Sequence, residues 1–162
     1  MTMEVDLPRA LATLLREVLE GPAETGAYVL NRGDKGLLAS LDALSAEAAS
    51  AHSSDRASVA AHVDHLRYGL ELLNRWARGA DPWSTADYSA SWQRVQVTED
   101  QWTTLRDGLK KEAHDWLAYA VRRQNWDEQS LTKTLTNIMH LNYHLNTIRQ
   151  ISSTTKNPRA HD

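Results

Sequence analysis

Two histidines near the C-terminal end of the chain have the residue type and spacing that most clearly suggest chemistry. His140 and His144 lie four residues apart in "NIMHLNYHLNTIRQI", residues 137–151. The apolar pattern of this stretch predicts a helix, in which side chains four positions apart have Cβ atoms about 5–6 Å apart. Two imidazoles at that separation can share one metal ion, because zinc takes ring nitrogens at about 2.0–2.1 Å. The alternative is that they are polar side chains at the edge of a hydrophobic core.

A second pair of histidines lies in an earlier amphipathic segment. His62 and His65 are three residues apart, which places them about 60° apart around a helix that turns roughly 100° per residue. The apolar residues that recur beside them are Val59, Leu66, Leu70 and Leu73. A histidine from this segment would complete a set of three nitrogens. A fourth position would stay open to water or substrate, which is the pattern of a catalytic metal site.

The rest of the sequence limits the chemistry that is available. The chain has no cysteine, which excludes disulfides, a cysteine nucleophile and thiolate metal ligands. Leu141 follows His140, so the glutamate of an H-E-x-x-H metalloprotease is missing. His52 and His161 lie in polar segments, and His114 is expected to be a surface or core-edge histidine of another helix.

The length and amino-acid composition of the chain are typical of one globular domain. Of the 162 residues, 41% are hydrophobic and 24% charged, and the net charge is -3. Binding to a phosphate backbone needs clustered lysine and arginine, so we expect no nucleic-acid partner. No apolar run approaches the ~18–20 residues of a membrane span, and the N-terminus has no secretory pattern. We therefore expect no membrane partner and a cytoplasmic protein.

Helical periodicity predicts an all-α protein with four main helices. They are expected at residues 7–19, 56–78, 99–123 and 131–152, with a shorter helical segment at 37–44. Thr98 with Gln101 has the pattern of a capping box, Gly79 is expected just past a helix end, and either Asp127 or Ser130 caps the last helix. Residues 80–97 form a long connection.

This order of elements predicts a four-helix bundle with a long crossover connection between helices 2 and 3. Residues 1–152 are expected to form the single domain, and residues 153–162 a polar C-terminal tail.

The chain resembles the DinB/YfiT-like superfamily of metal-dependent four-helix-bundle enzymes over nearly its whole length. The stretches that carry the resemblance are "GLLASLDALS" (36–45), "SVAAHVDHLRYGLELLNRW" (58–76) and "NIMHLNYHLNTIRQI" (137–151). In that family one histidine ligand comes from the second helix, seven residues after a Ser-Val opening, and two come from an H-x-x-x-H in the last helix. The resemblance implies metal ligands at His65, His140 and His144. His62 remains the alternative on the second helix, because an aliphatic residue follows each of the two.

The resemblance also implies a cofactor, partners and a range of reactions. It implies a divalent metal ion, zinc or nickel, and a homodimer. Relatives transfer or isomerise small-molecule substrates with low-molecular-weight thiols such as bacillithiol or mycothiol, or act as hydrolases. Since this chain has no cysteine, a thiol nucleophile would arrive with a cosubstrate. The alternative is a non-catalytic metal- or ligand-binding bundle or an interaction protein. The sequence assigns no catalytic residue.

Overall fold

A computed structural model describes residues 6–53 and 55–156 of the chain, the last three of these by their backbone alone. Within this part all regular elements are helical, apart from two isolated β-bridges. The helices are α1 (Leu7–Glu20), α2 (Leu37–Asp42), α3 (Ala46–Ser50), α4 (Val59–Ala77), α5 (Tyr88–Ser91), α6 (Glu99–Arg122) and α7 (Glu128–Lys156), with a 3-10 turn at Trp83–Thr85. The prediction of an all-α fold is confirmed. None of the described helices is long and apolar enough to cross a membrane.

The long helices begin at residues whose side chains cap them. The Ser58 hydroxyl accepts the Ala61 N–H at the start of α4. Thr98 and Gln101 form the predicted capping box of α6, each side chain accepting the other's backbone N–H. Of the two expected caps for α7, Asp127 has this role, because its carboxylate accepts the Ser130 N–H at 2.7 Å. These bonds satisfy N–H groups that have no partner inside the helix.

The ends of α4 and α7 differ in how closely they follow the prediction. After α4, Gly79 has a φ of 92° and donates to Trp76 O, while Ala80 donates to Arg75 O; this is a Schellman motif, as glycine at this position predicts. The last helix continues to Lys156, four residues past its expected end, because no glycine or proline interrupts the chain before Pro158. Residues 153–156 of the expected tail are thus helical, and residues 157–162, with His161, lie outside the described residues.

The four long helices bury their apolar side chains in one core. Its largest fully buried side chains include Leu15, Leu19, Leu66, Leu70, Trp102, Leu109, Trp116, Leu141 and Leu145. Burying a leucine contributes about 1.5–3 kcal/mol relative to exposure, so this cluster is the main stabilising feature of the fold. Helix α4 packs against both α6 and α7. The histidines of α4 therefore lie close to those of α7.

The loop after α1 is held by one buried carboxylate. Glu17 is 3% exposed and accepts the backbone N–H groups of Tyr28, Val29 and Leu30 at 2.7 to 3.0 Å. Burial by itself raises the pKa of Glu17, but these three hydrogen bonds outweigh it and the pKa is lowered. The charged form of Glu17 is thus bound into the folded loop.

Candidate metal centre

Four histidines meet where α4 faces α7. The Nε2 atom of His140 lies 3.2 Å from Nε2 of His65 and 3.0 Å from Nε2 of His144. One ligand atom from each of these three residues lies within 4.8 Å of the other two. His62 joins the cluster from outside, with its Nδ1 2.8 Å from Nδ1 of His144. The structure therefore brings His65, His140 and His144 together. His62, the alternative to His65 on α4, contacts the outer nitrogen of His144.

Helix packing places these side chains at the edge of the core. On α7 they alternate with Leu141 and Leu145, which are fully buried. His144 is 3% exposed and His65 9%, whereas His140 is half-buried. The cluster is thus part of the α4–α7 interface, and His140 is its most exposed member.

The spacing of the ring nitrogens suits a divalent ion. Two nitrogens bound to a tetrahedral ion at about 2.0–2.1 Å are separated by roughly 3.3 Å. The two Nε2 separations from His140, 3.2 and 3.0 Å, are within a few tenths of an ångström of that value. Among the described residues no carboxylate belongs to this group. The protein therefore offers three neutral nitrogen donors and leaves further positions to other molecules.

Hydrogen bonds on the outer ring nitrogens orient two of the three candidate ligands. The Ser91 hydroxyl donates to Tyr88 O at 2.7 Å, so at its 3.4 Å contact with His65 Nδ1 the imidazole is the donor. A proton on Nδ1 leaves the Nε2 lone pair of His65 directed into the cluster. Either ring can donate in the contact between Nδ1 of His62 and Nδ1 of His144, and when His144 carries this proton its Nε2 is free to bind an ion. Such outer partners fix the tautomer and orientation of metal-binding imidazoles.

Burial keeps the cluster uncharged. It lowers the pKa of His62 and of His140. Burial, and then the charges of His140 and His62, lower the pKa of His65 to about 4. The pKa of His144 falls to about 3, again mainly through burial and then through the neighbouring histidines. Neutral imidazole is the form that binds metal, so at neutral pH no proton has to leave before an ion enters.

Two residues of the connection between α4 and α6 complete the surroundings of the cluster. The Trp92 ring stacks on His65 with centroids 4.3 Å apart and lies edge-on to His62 at 5.1 Å. Ser91 makes the contact with His65 Nδ1. Neither residue was predicted as part of the site, because an irregular connection has no periodicity that would show which side chains point inward.

Two cavities flank the histidines. One of about 450 Å³ reaches His65 and His140 and is otherwise lined mainly by apolar side chains of α4 and polar side chains of α7. The other, of about 920 Å³, reaches His62 and Trp92. A small molecule in the first cavity would lie beside two of the three candidate ligands, which is the position a substrate needs.

The other described histidines, and the Asp64 carboxylate next to His65 in the sequence, lie outside the cluster. His114 is a surface residue, with its side chain 46% exposed and Nε2 3.7 Å from Glu20. His52 is exposed and contacts the backbone of Ser50. The Asp64 carboxylate is paired with arginines, at 3.1 Å from Arg67 and 3.0 Å from Arg94.

Comparison with known proteins adds nothing to this geometry. No protein-family profile, curated protein or solved structure matches the chain. The resemblance to the DinB/YfiT-like superfamily thus stays a prediction from the three stretches that carry it. The site itself rests on the convergence of three imidazoles, which could hold an ion.

Proposed function

We propose that this chain is a divalent-metal-dependent enzyme of the DinB-like type, with zinc or nickel bound by His65, His140 and His144. In this proposal α1, α4, α6 and α7 form the four-helix bundle, and residues 78–98 are its crossover connection. The observation that carries the proposal is the convergence of three Nε2 atoms. Those of His65 and His144 lie 3.2 and 3.0 Å from that of His140. Among the described residues, no carboxylate belongs to this group.

The open positions favour catalysis over a purely structural role. When bound, a divalent ion would lower the pKa of a water or small thiol beside it. The protein's own part is to hold the ion and orient the imidazoles through His62 and Ser91. The ring of Trp92 shields one face of His65. Thiol transfer and hydrolysis are both open to such a site, and in the first case the thiol is a cosubstrate because the chain has no cysteine.

A second candidate is an interaction protein or non-catalytic binding bundle. The observation that favours it is a row of exposed apolar side chains on the outer face of α7: Leu135 is 40% exposed, Met139 65% and Tyr143 64%. These residues are four apart and share one face of the helix. The same row would serve a homodimer, which remains a prediction, as does a cytoplasmic location.

Elemental analysis of gently purified, untagged protein tests the metal proposal. We expect about one zinc or nickel per chain, as a single three-histidine centre requires. The double variant His140→Gln, His144→Gln should lose it. The matched control is His114→Gln, which removes an exposed histidine outside the cluster and should keep the metal.

The outcomes separate the two candidates. Metal in the wild type and the control but not in the double variant supports the centre. No metal in any of the three after zinc and nickel have been added back would contradict it and leave the interaction protein. Calorimetric titration of the loaded protein with a small thiol then addresses the reaction, because binding favours transfer and its absence favours hydrolysis.

A further inference from the structure

The smaller cavity has the chemistry of a binding site for a specific class of small molecule. Its volume of about 450 Å³ lies within the usual range for small-molecule sites, about 300–1,000 Å³. Leu66, Leu70 and Trp83 supply apolar walls, and α7 supplies Lys133 and Asn137. The histidines His65 and His140 lie in the same lining. The cavity thus combines an apolar body with a few polar groups and access to the candidate metal centre.

Asn137 places an unsatisfied acceptor in this lining. The residue is 7% exposed, and its Oδ1 is buried without a hydrogen-bond partner. Among the buried side-chain atoms of the described residues it is the one oxygen in that state, and Trp83, from the same lining, has an indole N–H that is also unpartnered. Leaving a buried polar group unpaired has a free-energy cost, because the group has lost its hydrogen bonds to water. A ligand with an N–H or O–H group would remove that cost.

Lys133 places a positive charge in the same lining. Its Nζ lies 4.5 Å from the ring centroid of Trp83 and 5.2 Å from that of Trp76. Among the described residues it has no carboxylate partner. Lys133, Asn137 and His140 follow one another at i, i+4 and i+7, so they share a face of α7 and the first and last are about 10 Å apart along the helix axis.

Gly69 is a position in the cavity wall where a side chain would meet open space. It lies in the middle of α4, where glycine is less favourable than alanine. A Cβ atom built on it would meet nothing within 4 Å, and the residue lines the cavity. A methyl group would therefore fit at this position without contact, and only a larger side chain would fill the cavity.

We propose that this cavity binds the substrate, and that the substrate is a small organic carboxylate with an apolar body and an N–H donor. Its carboxylate lies at Lys133, its N–H donates to Asn137 Oδ1, and its other end reaches His65 and His140. Calling this ligand the substrate, with the end at His65 and His140 as its reacting end, rests on the proposed metal-dependent function. Binding of the anion itself depends on the side chains of α4 and α7.

Three related probes separate the polar contacts. N-benzoylglycine has the carboxylate, the N–H and an aromatic body. N-benzoylglycinamide lacks the charge, and benzoyloxyacetate replaces the N–H by an ester oxygen. Calorimetry on the full-length, metal-free protein should show N-benzoylglycine binding about fivefold more tightly than either analogue, since partly buried ion pairs and single hydrogen bonds are worth about 1 kcal/mol.

Variants assign each preference to a residue. Lys133→Gln should remove the preference for N-benzoylglycine over its amide and keep the preference over the ester. Asn137→Leu, which is similar in size, should do the reverse. Gly69→Leu should fill the cavity and abolish binding, while Gly69→Ala, its control, should bind as the wild type does. Both changes at Gly69 favour the helix, so loss of folding would not explain a loss of binding.

The results are independent of the metal test. N-benzoylglycine bound by the metal-free protein, with the two preferences lost as described, supports the cavity even if no metal is found. Protein that holds zinc but binds none of the three probes, with or without the metal, would overturn the cavity proposal and leave the metal centre intact. Equal binding by Gly69→Leu and Gly69→Ala, or preferences that survive both polar variants, would also overturn it.

Discussion

His62 and His65 are similar residues on neighbouring turns of α4, but they make different contacts. Both are buried on α4 and both are followed by an aliphatic residue, so the sequence leaves either as a ligand. In the fold, His65 directs Nε2 toward His140, whereas His62 contacts the outer nitrogen of His144. In the proposed metal centre, His62 is therefore a positioning residue, which acts through His144 by accepting the proton of its Nδ1.

Replacing His62 should weaken metal binding without removing a ligand. His62→Phe keeps a planar ring but has no acceptor for His144 Nδ1, and loss of such a partner typically costs 10–100-fold in metal affinity. His62→Gln retains an acceptor oxygen and should lose less. Competition for zinc against a coloured chelator measures both. Zinc affinity in His62→Phe equal to that of the wild type would show that the contact has no orienting role.

At the scale of residues, the sequence predicted the histidines of the site better than their surroundings. His140 and His144 were predictable because i, i+4 spacing on a helix fixes their separation, and the resemblance favoured His65 over His62. Asn137 shares that face of α7, so its position was also visible in the sequence. Its unpaired oxygen was not, because the absence of a partner depends on which side chains α4 and the connection bring to it.

At the scale of elements, the connection between α4 and α6 is attached to α4 by a series of polar contacts. Arg94 Nε lies 3.0 Å from the buried carboxylate of Asp64. The Tyr68 hydroxyl accepts the Asp87 N–H at 3.0 Å. These bonds lie on both sides of α5, whose last residue, Ser91, contacts His65. The position of Ser91 and of the neighbouring Trp92 ring therefore depends on them.

Removing the Arg94 contact should loosen this connection more than it destabilises the fold. Arg94→Gln leaves Asp64 paired with Arg67, so we expect a loss of only about 0.5–1 kcal/mol in the free energy of unfolding. Hydrogen exchange of residues 86–97 should become faster, because local contacts set local opening. Arg16→Gln, which removes an exposed pair with Glu20, is the control and should change neither quantity. Unchanged exchange in Arg94→Gln would show that other contacts suffice to hold the connection.

The start of α6 and the end of α4 were predictable because their causes are local. Thr98 with Gln101 and Gly79 after α4 act within a few residues of the helix end. The short helices α3 and α5 were not predicted, since four or five residues are too few for a periodic pattern and cannot form a stable helix alone. They depend on contacts with the core that they cover, and these contacts involve residues far away in the sequence.

At the scale of the whole molecule, burial of neutral histidines makes the stability of the metal-free protein depend on pH. The pKa of His65 is about 4 and that of His144 about 3 in the folded protein, against about 6.5 for histidine in an unfolded chain. Between these values the unfolded chain binds more protons, so stability rises with pH. It is fully present above about pH 6.5 and is lost as the pH falls toward 4 and then 3.

We therefore expect the free energy of unfolding of the metal-free protein to fall by about 2–4 kcal/mol between pH 7.5 and 5, with the partial exposure of both histidines already allowed for. Glu17 contributes little in this window, because its pKa is lowered from an ordinary value of 4.5 that already lies below pH 5. Urea unfolding at the two pH values measures the change. The double variant His140→Gln, His144→Gln should show a smaller fall, while His114→Gln should match the wild type. Equal stability of the wild type at both pH values would mean that the imidazoles are hydrated in solution, in which case the cluster is more open than its burial indicates.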